Sequence, residues 1–400
     1  MKIALVHDYL REYGGAERVL EALHEMYPDA PLYTSFVDFP SLGKHADRFK
    51  NWDIRTSWVQ NNPFIKKFIS PLRFLAPKIW SSFDLSGFDV VISSSGWFMC
   101  RGVALQKSEY GISNVEYRKD INNINQTSNF KPQTSKHPIH ICYIHHPPRN
   151  LYGYATGSNL EKYPLVRVYA ALVNHFLRKY DFQTAQKVDY FIANSKETAR
   201  RVEKFYRRDS TVIYPPIDIR RNSKFQIPNS KKEYYLSVGR LSWAKRVDVI
   251  IEACNVLKAP LNIIGTGKEE SYLRSIAGPT IEFVGSVSDE ELACLYEGAK
   301  ALLFCALDED FGMVPVEAMS HGTPVIALVE GGVKETVIDG KTGVLFANPT
   351  KECLTQAIGK FSGNKKQWEK ECKLQAQTFD SVRFKKEMKL FIQTHASRNY

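Results

Sequence analysis

Lys2-Ile-Ala-Leu-Val6, followed after His7 and Asp8 by Gly14-Gly15 and then by Ala16-Glu-Arg-Val-Leu-Glu-Ala-Leu-His-Glu-Met26, decides how this chain folds. The first five residues read as a short buried strand, and from Ala16 the apolar positions recur at helical spacing. Strand, glycine turn, helix is how doubly wound α/β domains begin. The same order continues down the chain. Apolar runs at Val90–Ser93, His140–Ile144 and Tyr190–Ala193 predict strands in the first half. Tyr234–Val238, Leu261–Ile264, Ile281–Val284, Ala301–Phe304, Pro324–Ala327 and Gly343–Phe346 predict strands in the second, with helices at Val247–Leu257, Asp289–Tyr296 and Val314–His321 between them. Such alternation predicts parallel sheets with helices on both faces, an α/β fold in each half.

Four hundred residues suit two domains. Tyr214-Pro215-Pro216 and the polar, charged stretch after it predict the break. The expected division is a first domain over 1–215, a linker over 216–230, a second domain over 231–380, and a basic C-terminal helix over 381–400 that packs back on the first domain. The asparagine-rich stretch 107–138 has no apolar periodicity and reads as an inserted loop. An apolar fraction of 44% and a charged fraction of 24% exclude a mainly disordered or low-complexity chain. Seven cysteines, odd in number and without a Cys-x-x-Cys pair, predict reduced thiols and a cytoplasmic setting. The opening MKIALVHDYL is too briefly apolar for a signal peptide, and no apolar run approaches the roughly 20 residues that span a bilayer. The net charge of +11 points to an anionic partner: nucleic acid, a phosphorylated ligand or an acidic membrane surface.

Glu309-Asp-Phe-Gly-Met-Val-Pro-Val-Glu317 carries the sharpest chemical signal. Leu302–Phe304 reads as a strand, Asp308–Gly312 as a turn and Val314 onwards as a helix, with Pro315 in a first turn where its missing N–H is not needed. In open parallel sheets, ligands bind beyond the carboxyl ends of the strands. Glu309 and Glu317 can therefore face one ligand, and the amides of Phe311, Gly312, Met313 and Val314 can donate to hydroxyls or phosphates. A capping carboxylate beside an exposed helical glutamate is the plainer reading of any such pair, but the Phe-Gly and Gly-Thr-Pro-Val-Ile surroundings favour a site. Ser237-Val-Gly239-Arg240-Leu-Ser-Trp-Ala-Lys245-Arg246 ends a strand at Gly239. It leaves Arg240, a planar fork, and Lys245, a point charge, where a diphosphate can sit, or else forms a solvated basic loop. Gly331-Gly332 allows close approach of amides to a phosphate or makes a plain turn. Gly14-Gly15-Ala-Glu17-Arg18 repeats that device in the first half, without dinucleotide-site spacing or a P-loop lysine.

These residues resemble the family-4 retaining glycosyltransferases of the GT-B fold, whose Glu-x7-Glu signature Glu309 and Glu317 match and whose diphosphate-binding pair Arg240 and Lys245 match. MKIALVHDY…YGGAERVLEAL, FDLSGFDVVISSS and ICYIHHPPRNLYGY are similar to a bacterial subgroup that includes O-antigen and exopolysaccharide mannosyltransferases. The resemblance implies two Rossmann-like domains facing each other across a cleft. It implies a nucleotide-diphosphate sugar, GDP-mannose being one candidate, held by Gly14, Gly15, Gly239, Arg240, Lys245, Glu309, Phe311, Gly312, Met313, Val314 and Glu317. Catalytic roles are implied for Glu309, His145, Arg240 and Lys245. In that scheme Glu317 binds the ribose and Glu309 the sugar, with no cofactor and no metal. His145 matches the family histidine that contacts the transferred sugar, although the following His146 can occupy that place too. Strand alternation sends Tyr143 and His145 to one face. Tyr143, His146 and Arg149 are thus the expected acceptor side, and the acceptor is a glycan, lipid-linked in this subgroup; the alternative is a GT-B synthase acting on a soluble small-molecule acceptor such as a sugar phosphate. Ser95-Gly96-Trp97 departs from the subgroup's Ser-His.

Three other readings compete. Asp308-Glu309-Asp310 spells the Asp-x-Asp of metal-dependent glycosyltransferases, but late in the chain. His137, His140, Cys142, His145 and His146 match no zinc-finger spacing, and a strand scatters them over two faces. The charge alone would fit a nucleic-acid binder, yet no basic recognition helix or ribonucleoprotein motif is present, so no nucleic-acid partner is expected. Between Asn62 and Trp80, Lys66, Lys67, Arg73 and Lys78 interleave with aromatic and aliphatic residues. That stretch either lies peripherally on the inner face of an anionic membrane or packs on the first domain with its lysines in solvent.

Overall fold

The computed structural model describes residues 1–105, 137–157, 163–219, 234–361 and 365–396. The polar stretch 107–138 lies outside these residues save for its last two, and so does the linker from residue 220 onwards.

Ile3–His7 (β1) is buried along its whole length, which its run of apolar residues allows only at the centre of a covered parallel sheet. Around it stand Leu32–Thr34 (β2), Ile54–Thr56 (β3), Val90–Ser95 (β4), Ile139–Ile144 (β5), Tyr190–Ala193 (β6) and Thr211–Val212 (β7). They form a seven-stranded sheet in the order β3-β2-β1-β4-β5-β6-β7, parallel throughout. Tyr235–Val238 (β8), Leu261–Ile264 (β9), Ile281–Gly285 (β10), Ala301–Phe304 (β11), Val325–Leu328 (β12) and Gly343–Phe346 (β13) form a second parallel sheet in the order β10-β9-β8-β11-β12-β13. β2, β3 and β7 have only two or three residues, too few for a period to show in sequence.

In both sheets the strand order reverses between the first strand and the fourth, at β1/β4 and at β8/β11. Chains leaving neighbouring strands at such a point diverge to opposite faces, and a crevice opens beyond their carboxyl ends. His7, Ser95, Val238 and Phe304 end those four strands.

Helix Gly15–Met26 buries Val19, Leu20 and Leu23 against the first sheet. Helix Ser381–Ala396 places Phe384, Met388 and Ile392 in the same core, each fully enclosed. Burying side chains of this size stabilises by about 1.5–3 kcal/mol apiece, which ties the end of the chain to the first sheet. The outgoing and returning chains meet where the Ile217 amide donates to the Phe379 carbonyl at 3.0 Å. Helix Pro164–Gln186 is held to the loop after β4 by a fully buried ion pair between Asp181 and Arg101; Tyr152 donates to the same carboxylate at 2.7 Å.

Candidate active site in the interdomain cleft

The crevices of the two sheets face each other. Between them lies a cavity of about 320 Å³ whose walls include Gly14, Gly15, His145 and His146 from the first sheet's side. Arg240, Lys245, Glu309, Phe311, Gly312, Met313 and Val314 come from the second. Asp308 (φ 51°) and Gly312 (φ 92°) bracket Glu309 in left-handed backbone, so the chain turns sharply out of β11 and into helix Met313–Ser320. The amides of Phe311, Gly312 and Met313 open that helix, where no intrahelical acceptor exists for them. Lys245 Nζ is 2.6 Å from Glu309 Oε2. Arg240, 59% exposed, reaches across the cleft to Glu12 at 2.6 Å.

On the opposite wall a buried chain of polar groups runs under the cavity. Glu17 Oε1 lies 3.4 Å from His7 Nε2, His7 Nδ1 lies 3.2 Å from Ser94 Oγ, and Ser94 Oγ lies 2.8 Å from His145 Nε2. Burial first, then the neighbouring His7 and His146, pushes the His145 pKa down from 6.5 to about 3. It is therefore a neutral imidazole at ordinary pH, fit to exchange hydrogen bonds rather than to carry charge. Asp8 accepts from the amides of Gly96, Phe98 and Cys100 at 3.0, 3.0 and 2.9 Å, which fixes the loop that carries Trp97 into the cavity wall.

Several expected site residues sit elsewhere. Glu317 does not share the cavity with Glu309. It lines a second chamber of about 480 Å³ with Tyr13, Arg18 and Tyr296, and ion-pairs across the cleft with Arg18. Gly15 approaches Met313 closely; a Cβ on Gly15 would stand 2.7 Å from Met313 Sδ. Tyr143 is fully buried in the first core, donating to the Ile213 carbonyl at 2.9 Å and packed edge-on against Phe384, so it is not on the acceptor side. Strand alternation does put it on the face of His145, but Tyr143 lies inside β5, where that face is still core, whereas His145 follows the strand's end at Ile144. Arg149 is not a free acceptor contact either, since its guanidinium pairs with Asp310 at 2.5 Å. Gly239 lies off the cavity wall, with its N–H given to the Ile264 carbonyl at 3.0 Å. Gly331 and Gly332 approach the chain's own backbone, not a phosphate: the Gly332 amide donates to the Glu309 carbonyl at 2.8 Å, and a Cβ on either glycine would collide with residues 309–311.

The acids flanking Glu309 are engaged across the cleft. Asp308 accepts from the Ala155 amide at 2.7 Å, while Asp310 takes Arg149 and, at 2.7 Å, Arg201. Burial alone would raise the Asp310 pKa, but those guanidiniums and His146 hold it below the usual carboxylate range. Glu335, reaching from the second half, caps helix Lys196–Tyr206 by accepting from the Lys196 and Glu197 amides at 2.8 and 2.9 Å. Of the candidate zinc set, His140 bonds Ser93 at 2.8 Å, whereas His145 bonds Ser94, which points to the other face of β4. Among the described residues no group of three or more His, Cys, Asp or Glu is placed to hold a metal ion. The motifs did not reveal His7, Glu17, Ser94, Arg18 or Glu12 as site residues. The strand-end rule alone points to His7, which ends β1, and to the end of β4, where Ser94 is the next-to-last residue.

Two Rossmann-like sheets with their crevices opposed across such a cleft make the GT-B fold of glycosyltransferases. Residues 218–378, the stretch that holds the second sheet, match the family model described as Glycosyl transferases group 1. The chain is 29% identical over 187 residues to the D-inositol 3-phosphate glycosyltransferase of Mycobacterium tuberculosis, a match covering 41% of this chain and only 39% of that protein. Whole-chain likeness is found among solved structures. An Anabaena protein in complex with UDP and glucose is 17% identical with a TM-score of 0.65, over 98% of this chain and 100% of that one. The sucrose-phosphate synthase of Thermosynechococcus elongatus is 16% identical with a TM-score of 0.68, over 99% and 100%. At these identities the likeness is one of fold.

Proposed function

We propose that this protein is a retaining, metal-independent glycosyltransferase of family 4. It moves a hexose, with mannose from GDP-mannose the first candidate, from a nucleotide-diphosphate sugar to a lipid-linked glycan acceptor. Its setting would be the cytoplasmic side of bacterial surface polysaccharide synthesis. The observation that carries the reading is the joint placement of Arg240, Lys245 and Glu309 at the carboxyl edge of the second sheet, facing Gly14, Gly15 and His145. Sugar transfer develops positive charge at the anomeric carbon and negative charge on the departing diphosphate. Arg240 and Lys245 neutralise the second, so the scheme needs no metal and no cofactor. Glu309 and the amides of Phe311, Gly312 and Met313 hold the sugar, and neutral His145 hydrogen-bonds it from the other wall. Glu317 takes the ribose in the adjoining chamber. The acceptor hydroxyl attacks from the face the diphosphate leaves, and a phosphate oxygen takes its proton, so no covalent nucleophile is required.

A second reading has one observation in its favour. The relatives include a D-inositol 3-phosphate glycosyltransferase and a sucrose-phosphate synthase, whose names point to small phosphorylated compounds. A soluble sugar or polyol phosphate is the acceptor in that case.

A thermal-shift screen against GDP, UDP and ADP sugars tests the donor, because a ligand bound only by the folded state raises the unfolding temperature. The cognate donor stands out, and its nucleoside diphosphate is released on adding a lipid-linked acceptor. If no nucleotide sugar shifts the transition and none is turned over, the reading fails.

A further inference from the structure

Among the described residues, none packs on one face of helix Pro164–Gln186. Leu165, Val168, Leu172 and Phe176 recur at helical spacing on it and are 85%, 61%, 63% and 70% exposed. Beside it, Phe64 and Phe74 are 64% and 47% exposed. The two segments form one surface, joined by a hydrogen bond from the Tyr169 hydroxyl to the Pro71 carbonyl and another from Arg73 to Asn174 at 2.9 Å. Monomeric surfaces rarely leave so many large apolar side chains exposed together.

The charge of this surface has one sign. From Ser57 to Trp80 there are four basic residues, Lys66, Lys67, Arg73 and Lys78, and no acid. From Tyr163 to Lys187 the basic residues are Arg167, Arg178, Lys179 and Lys187, and the one acid, Asp181, is buried against Arg101. A second copy of the chain would bring like charge to like charge in a two-fold contact, whereas an anionic lipid surface complements both the charge and the apolar row. The helix is about 34 Å long at 1.5 Å per residue. Among the described residues no helix is long and apolar enough to cross a membrane.

The patch also adjoins the cleft. Arg11 donates to the Lys66 carbonyl at 3.2 Å, next to Tyr9 and Glu12 in the cavity wall. Asn174 and Arg178 donate to the carbonyls of Asn150 and Leu151 at 2.9 and 3.2 Å, in the segment that follows His146. We propose that the outer face of helix Pro164–Gln186, with Phe64, Phe74 and the lysines at 66, 67 and 78, docks the protein on an anionic lipid bilayer and brings the cleft mouth to that surface. This rests on the lipid-linked acceptor reading only for its purpose, since docking itself needs no substrate.

The test is flotation of the full chain with vesicles of phosphatidylcholine alone or with phosphatidylglycerol added. The chain is expected to float with the anionic vesicles, less so at high salt, and not with the neutral ones. A Leu165→Ser/Leu172→Ser/Phe176→Ser variant and a Lys66→Glu/Lys67→Glu/Lys78→Glu variant should each lose about tenfold or more of the bound fraction while unfolding at the parent temperature. Failure of the parent to bind anionic vesicles overturns the proposal, as does equal binding by the variants. A parent dimer that the serine variant converts to monomer in sedimentation velocity also overturns it, and assigns the face to a second copy. A chain that binds vesicles but turns over no nucleotide sugar sinks the proposed function and leaves docking intact; one that transfers sugar yet ignores vesicles does the reverse.

Discussion

The ammonium of Lys245 lies 2.6 Å from the carboxylate of Glu309, one from the loop after β8 and the other from the turn after β11. The two strands are neighbours at the reversal point of their sheet, which is why residues 64 positions apart meet. Arg18 and Glu317 pair in the same way, but from opposite sides of the cleft. A nucleotide sugar entering this site exchanges protein ion pairs for its own contacts.

Lys245→Ala and Glu309→Ala should each reduce nucleoside diphosphate release by about a hundredfold or more, the scale of losing a preorganised charge at a reacting centre. The pair is partly exposed, so little stability is at stake and the unfolding temperature should stay within a few degrees. Full activity in both variants would show that the donor sits elsewhere.

Gly15 faces Met313 with no room for a Cβ. Gly15→Val should press the methionine aside and force the walls apart, raising the KM for donor with little change in unfolding temperature. Met313→Ala in the same chain should recover part of the loss by clearing that space. If Gly15→Val is indistinguishable from the parent in donor kinetics, the contact has no bearing on donor binding.

His140 and His145 both have pKa values lowered by burial from 6.5 to about 3, His140 with help from the nearby Arg101. Below about pH 6.5 the unfolded chain binds protons that the folded chain refuses until about pH 3. Their contribution to stability is therefore whole above 6.5 and is lost as the pH falls towards 3. Each histidine contributes up to about 1.4 kcal/mol per pH unit in that window. Urea titrations near pH 7 and pH 5 should show the parent losing stability and His140→Gln losing less. Equal losses would mean that His140 is not the source.

Breaking the Arg101–Asp181 pair strands a charge with no solvent. Asp181→Ala should cost about 3–5 kcal/mol, and replacing both residues by apolar ones of similar size should cost less. Denaturant midpoints of the two variants decide this, and a double replacement worse than Asp181→Ala alone would contradict it.

Much of the cleft is legible in the sequence. Arg240, Lys245, Glu309 and the amides after it lie within short loops that follow strands of the second sheet, and local spacing already places such residues at one sheet edge. Gly14 and Gly15 were legible for the same reason. Tyr143 was not, because alternation assigns a face but not how far along the strand that face stops being core. Gly331 and Gly332 by themselves favour a plain turn while still allowing a phosphate. What decided between them was the carbonyl of Glu309, more than twenty residues away.

By itself, then, the sequence determined the parallel α/β halves, through apolar runs of strand length alternating with helical periods, and the charged loops that leave them. Only the tertiary structure decided that Glu317 stands in a different chamber from Glu309 and pairs with Arg18. It also decided that Arg149 binds Asp310 and that the apolar row of helix Pro164–Gln186 faces outwards. These are contacts between residues far apart in the chain. Local periodicity shows that a face is apolar, but what lies against it depends on how the sheets and helices pack.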